Sequence, residues 1–192
     1  MFREQIKQAI LVFIILSIIT GIIYPLFITG VSQVFFPSQA NGSLIYRNSK
    51  PVGSALIGQA FNNPKYFWGR ISATSPVLFN AAASTGSNLG PTNPALIEAV
   101  KVRIKALKSA DPNDNPIPVD LVTSSASGLD PHISIAAAYY QINRIARSRG
   151  LAQDKIKVII NKHTHGRLLG VIGEPVVNVL EINLALDDYK NK

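Results

Sequence analysis

A chain of 192 residues has room for one folded domain and an appendage, so a second folded domain is not expected. Cysteine is absent, which excludes disulfides, thiolate metal sites and a thiol nucleophile. The net charge of +8 would suit nucleic acid, an anionic membrane surface or an acidic partner, but no five Lys or Arg residues run together and aromatics are not interleaved with them, which argues against a nucleic-acid surface.

No Asp, Glu, Lys or Arg occurs from Gln8 through Tyr46, and Ala9 to Val31 is almost entirely apolar. That length crosses a bilayer, which takes about 20 apolar residues at a rise of about 1.5 Å each. Ser17, Thr20 and Gly21 are small or weakly polar, and such residues let helices approach closely in lipid. Pro25 removes a backbone donor and is expected to bend or end the helix near Tyr24; with Ser17, Thr20 and Gly21 it marks the expected contact with neighbouring helices. Tyr24, Phe35 and Phe36 fit the outer headgroup level.

Arg3 and Lys7 flank the near end of this segment, whereas the far flank holds no basic residue before Arg47. The asymmetry places the N-terminus in the cytoplasm and the remainder outside. A cleaved signal peptide is the alternative, since Ser38-Gln39-Ala40 loosely resembles a cleavage site, but the apolar stretch is longer than a signal core and lies far from it. The expected organisation is a cytoplasmic tail over 1–8, a transmembrane helix over 9–31, a linker over 32–43 and one extracytoplasmic α+β domain over 44–192.

Leu44 to Phe61 mixes short apolar runs with glycines, and aromatics concentrate at Tyr66-Phe67-Trp68, a pattern of short strands and loops. Asn80 to Pro94 reads as a loop, after which Asn93 as N-cap and Pro94 as first residue open a helix. Its apolar face is Leu96, Ile97, Val100, Ile104 and Leu107, with Glu98, Lys101, Arg103, Lys105 and Lys108 opposite. A Pro-rich loop over 111–118 leads to an expected strand, Val119 to Thr123. Asp130 and Pro131 are expected to start a helix that Gly150 stops, followed by helices from about Gln153 to Lys162 and from Pro175 through Leu186.

Candidate chemistry is sparse. Ser127, Asp130 and His132 suggest a hydrolase, yet they lie within six residues and the chain has no Gly-x-Ser-x-Gly elbow; capping accounts for Asp130 equally well. His163 and His165 supply only half a metal site, and Asp111 to Asn115 lacks the Gly and Glu of a calcium loop. The Gly53 to Gln59 segment and the Asn80 to Pro94 loop carry many amides suited to phosphate, but neither is a Walker motif. Two rivals from other classes are a tethered periplasmic hydrolase and a tethered module that binds envelope polymers through Tyr66, Phe67 and Trp68.

Taken in order, Gln39-Ala-Asn-Gly-Ser-Leu-Ile45, Gly53-Ser-Ala-Leu-Ile-Gly-Gln59, Tyr66-Phe-Trp-Gly-Arg70 with Ser72-Ala-Thr74, and Gly86-Ser-Asn-Leu89 form a series. Pro118-Val-Asp-Leu-Val-Thr123, Ser125-Ala-Ser-Gly-Leu-Asp130, Gly173-Glu-Pro-Val-Val-Asn178 and Glu181-Ile-Asn-Leu-Ala-Leu-Asp187 continue it. The series resembles the KdpC family, the C subunit of the Kdp potassium-transporting P-type ATPase. The chain departs from the family's pattern at Ile71, where Pro often follows the Gly-Arg pair.

The resemblance implies a non-catalytic subunit of a complex in the bacterial inner membrane that imports potassium at high affinity by hydrolysing ATP. Its implied partners are a channel-like potassium-translocating subunit, a P-type ATPase subunit and a small single-helix subunit. It further implies a catalytic chaperone that raises the ATPase subunit's affinity for ATP, with Gln59 in nucleotide contact. The charge asymmetry points instead to assembly or gating at the outer mouth of the channel subunit, because a domain outside the membrane does not meet cytoplasmic ATP.

Overall fold

The computed structural model describes residues 2–190 and divides into two compact units, the first ending at Leu44 and the second beginning at Ile45. The first unit is a 34-residue helix, Phe2–Phe35, followed by a short helical turn. α1 (Phe2–Ile18) and α2 (Tyr24–Phe35) are joined without a break by a π turn, Ile19–Ile23. Pro25 therefore does not end the helix: the widened turn just before it makes room for the ring, and the helix continues for ten residues beyond the proline. The helix also exceeds the expected 9–31 span at both ends. α3 (Pro37–Ala40) occupies part of the expected linker, and Asn41 fixes it by donating to Pro37 O (2.7 Å) and Gln33 Oε1 (3.1 Å).

The second unit is α+β. β1 (Leu44–Arg47) and β2 (Lys50–Ser54) form a hairpin whose turn holds Asn48 and Ser49 at positive φ, as a two-residue hairpin turn requires. α4 (Pro94–Ala110) begins as read, with the Asn93 carboxamide accepting from Ala95 N at 2.9 Å. Three later expectations change. Val119–Leu121 is a single 3-10 turn, because Pro118 and Asp120 favour a turn over a strand. The expected helix from Asp130 is β3 (His132–Ser134) followed by α5 (Ile135–Tyr140) and α6 (Ile142–Arg149), and it is Ser134 that caps, accepting from Ala137 N. The expected helix from Pro175 likewise opens as β5 (Val176–Asn178), after which α8 (Val179–Lys190) starts on the Asn178 carboxamide.

β5 lies between β3 and β4 (Thr164–His165), antiparallel to both, with Val177 opposite Ile133 on one side and Thr164 on the other. α5 and α8 pack on this sheet, α6 and α7 (Gln153–Lys162) pack on each other and against α5, and Ile133, Val177, Ile145, Ile156, Ile160, Ile182 and Leu186 form a core from which solvent is almost excluded. β-branched residues dominate because the strands are short and every helix must present a dense apolar stripe.

Phe67 and Trp68 are buried in this core although their segment belongs to no strand. Two side-chain amides replace the missing strand neighbours. Asn183 on α8 accepts from Phe67 N (2.7 Å) and donates to Phe67 O (3.0 Å). Gln141, between α5 and α6, accepts from Trp68 N (2.8 Å) and donates to Trp68 O (3.1 Å). Arg144 completes the set by donating to Pro64 O (2.5 Å), Tyr66 O (2.9 Å) and Gln141 Oε1 (2.5 Å), with its guanidinium 4.3 Å from the Trp68 ring centre. Burial lowers its pKa to about 10, so it remains charged at neutral pH.

Replacing Asn183 by Ala strips partners from a buried N–H and a buried C=O at once. An unmet buried polar group costs about 1–3 kcal/mol, so Asn183→Ala is expected to lower stability by about 2–4 kcal/mol. Urea unfolding of the full chain in detergent measures this; an unmoved midpoint would show that Phe67 holds its place without Asn183.

Candidate functional site

In the second unit, the 53–59 segment considered for phosphate and the 124–130 loop considered for catalysis lock into each other and into a third segment, 70–79. Gly58 donates to Leu129 O at 2.7 Å, and a Cβ on Gly58 would fall 2.4 Å from the Phe79 ring and 2.8 Å from Asp130 O. Ser72 Oγ donates to Gly128 O (2.8 Å) and accepts from Phe79 N (2.9 Å), while Thr74 Oγ1 donates to Val77 O (2.7 Å). Ile71 and Ser124 make a parallel bridge. The hydroxyls and glycines of these segments are thus used to hold backbone against backbone.

Arg70 and Asp130 tie the loops together. Arg70 reaches Asp130 Oδ2 at 3.2 Å and Ser124 O at 3.1 Å. Asp130 Oδ1 accepts from His132 N at 2.9 Å and stands 3.4 Å from His132 Nδ1. Partial burial pushes the Asp130 carboxyl upward, but the hydrogen bonds from His132 and the charge of Arg70 outweigh it and hold the group below the usual carboxylate range. At the other end of β3, Asp120 accepts from Ser134 N at 2.7 Å.

Of the suspected hydrolytic trio the structure pairs Asp130 with His132, while Ser127 bonds elsewhere. Ser127 Oγ lies 3.4 Å from Ser125 Oγ and accepts from Leu129 N, whereas His132 faces Asp130 and lies edge-on to His165 at 6.5 Å. His163 Nδ1 pairs with Ile159 O at 2.9 Å, and His165 Nε2 with Glu181 Oε2 at 3.1 Å. Among the described residues no cluster of three or more His, Cys, Asp or Glu side chains could hold a metal ion. Asp111 is buried and bound by Arg147 and Asn113, so the loop after α4 directs its acid inward. Phe67 and Trp68 are buried, which removes two of the three aromatics of the supposed sugar platform.

Gln59 donates to Val52 O at 2.8 Å, and its carboxamide fills the space that a Gly53 side chain would need, 1.9 Å from an ideal Cβ there. It borders a mostly apolar groove of about 650 Å³ that Phe61, Phe79, Val102, Arg70 and Arg103 also line. Both guanidinium groups are engaged, Arg70 as described and Arg103 with Leu121 O (3.0 Å) and Gly69 O (2.9 Å). The groove's lining is mostly apolar and its two cations are bonded within the domain except at Arg70 Nε, which is buried without a partner among the described residues, so it has little to offer the phosphates of a nucleoside triphosphate.

Arg103 was expected on the solvent face of α4 but shares its inner face with Val100, Ile104 and Leu107 and lies over the Trp68 ring at 5.3 Å. Gln141, Arg144 and Asn183 have structural roles that the sequence does not announce. Their one signal is position, a single amide or guanidinium inside an otherwise apolar helical stripe. In the first unit, Ser17, Thr20, Gly21 and Pro25 lie around the π turn; Thr20 Oγ1 donates to Leu16 O at 2.8 Å, and no side chain of the segment is buried within the chain.

The fold is of the class in which one helix, long and apolar enough to cross a membrane, precedes a small α+β domain whose polar side chains hold its own loops. The chain belongs to the KdpC family, K+-transporting ATPase, c chain, whose model matches residues 6–188. It is 61% identical over 186 residues to the potassium-transporting ATPase KdpC subunit of Ralstonia nicotianae, covering 96% of this chain and 91% of that one. The subunit of the same description from Herpetosiphon aurantiacus is 59% identical over 190 residues, 98% of each chain, and that from Dechloromonas aromatica 57% over 186 residues, 96% of this chain and 97% of the other.

The Asp130 charge generates a test. A carboxyl whose folded pKa is depressed contributes stability above its unfolded value, about 3.9, and loses it as pH falls through the folded value. Wild-type stability is therefore expected to drop below about pH 4, and Asp130→Asn to flatten that part of the curve. Unfolding midpoints from pH 5 to pH 2 compare the two; parallel curves would show that Asp130 does not contribute.

Proposed function

We propose that the chain is the accessory, non-catalytic subunit of a high-affinity, ATP-driven potassium uptake complex in the bacterial inner membrane. The observation that carries this is membership of the K+-transporting ATPase c-chain family over residues 6–188. Arg3 and Lys7 in the first turns of the helix, with no further basic residue until Arg47, support a cytoplasmic N-terminus and a domain outside. Its partners are the channel-like translocating subunit, the P-type ATPase subunit and the small single-helix subunit.

In this reading the anchor packs on neighbouring helices through Ser17, Thr20, Gly21 and Pro25, and the domain supports assembly or gating on the outer side. The chaperone effect on ATP affinity is transmitted through the assembled complex and not through Gln59, which serves as a strut between Val52 and Gly53. The ATP is bound elsewhere in the complex.

Loss of the chain is expected to abolish growth at micromolar potassium and to leave growth at millimolar potassium intact. Unchanged growth of the deletion strain at low potassium would refute the function. For the nucleotide, azido-ATP supplied to the cytoplasmic side of sealed vesicles holding the intact complex is expected to label other subunits and leave this chain unlabelled; crosslinks at or near Gln59 would establish direct contact.

A further inference from the structure

The loop between β4 and β5 carries an apolar tip that the described residues leave uncovered. Leu168, Leu169, Val171 and Ile172 are between 58% and 85% exposed, in a run interrupted only by Gly170. Scattered exposed aliphatics are ordinary, but four large ones gathered at one point form a patch of the kind that marks an interaction site.

The tip is a built feature. Its flanks continue the antiparallel pairing of β4 and β5, with His165 opposite Val176 in the sheet and Leu168 bridged to Ile172 beyond it. Leu168 N donates to Ile172 O at 2.9 Å and Ile172 N to Leu168 O at 3.0 Å, closing a small loop on itself. At its base Arg167 Nη2 grips both oxygens of Glu174, at 2.9 and 3.0 Å. A rooted, self-bonded loop loses little freedom on docking.

Leu169, at the point of greatest exposure, has φ +53°. A branched side chain is disfavoured there, and Asn or Gly would suit the isolated chain better. An apolar contact supplied from outside the chain accounts for a leucine in that place.

We propose that residues 168–172 are the anchor by which the domain docks into an uncharged, apolar socket on another protein subunit of the potassium-transporting complex. This rests on the accessory-subunit reading given above. Charge favours a protein over a lipid surface. The only charged residues from Gly166 to Pro175 are Arg167 and Glu174, which neutralise each other, so the tip offers anionic headgroups no net attraction. It also lacks the Trp or Tyr that anchors interfacial segments. An uncharged aliphatic centre with an ion pair at its margin matches the core and rim of a protein interface.

The test uses the full-length chain expressed with the rest of the complex, with Leu169→Asn as the variant, because Asn tolerates positive φ and the fold is not expected to suffer. Recovery of the other subunits with the tagged chain in detergent is expected to fall at least tenfold, with the thermal midpoint of the domain unchanged or raised. Equal recovery would overturn this inference alone. A wild-type chain that carries down no other subunit would overturn the accessory-subunit reading and this inference with it.

Since the chain has no cysteine, Leu169→Cys adds a unique thiol for an environment-sensitive fluorophore. A blue shift on assembly in detergent supports the socket. Quenching by brominated lipid in vesicles of the chain alone, unaltered by assembly, would assign the tip to the bilayer and overturn it.

Discussion

The second unit depends on how it buries a stretch of backbone that has no strand beside it. Phe67 and Trp68 bring two large rings into the core, and with them two peptide groups that must find partners away from water. Asn183 and Gln141 each present both faces of a carboxamide to one residue, imitating the hydrogen bonds of flanking strands. The segment is thereby fastened to α8 on one side and to the α5–α6 junction on the other. Everything downstream follows its course: Gly69 O receives Arg103, Arg70 meets Asp130, and the following loop packs under Ser72 and Thr74.

This arrangement explains what the sequence discloses. Periodic apolar runs with clear signals at their ends are legible: the membrane helix, α4 with its Asn93 cap, α7, and the stop at Gly150. The strands β3 and β5 are not, because each is three residues long and runs straight into a helix. Pro131 and Pro175 look like helix openers, while Ser134 and Asn178 do the capping a few residues later. Pairing of β3 with β5 depends on residues more than forty positions apart, which no local pattern contains.

The polar residues are harder still. Arg103 sits among lysines on a helix and by sequence groups with them, yet backbone carbonyls at Leu121 and Gly69 and the Trp68 ring draw it inward. The glycines at 53 and 58 look like a phosphate loop, whereas each gives way to a neighbour, Gln59 and the Phe79 ring respectively. Residue types suited to catalysis serve here as joinery.

The π turn at Ile19–Ile23 has a consequence for the helix that carries it. One residue more than a regular turn rotates everything after it by roughly 100° about the axis. The stripe of small residues at Ser17, Thr20 and Gly21 and the aromatic residues of α2 therefore lie on different sides than an unbroken helix would give them. A backbone carbonyl freed at the bulge or ahead of Pro25 also has no water to turn to in hydrocarbon. Such a helix is poorly suited to standing alone in lipid and well suited to lying between two neighbours, one addressed by each half.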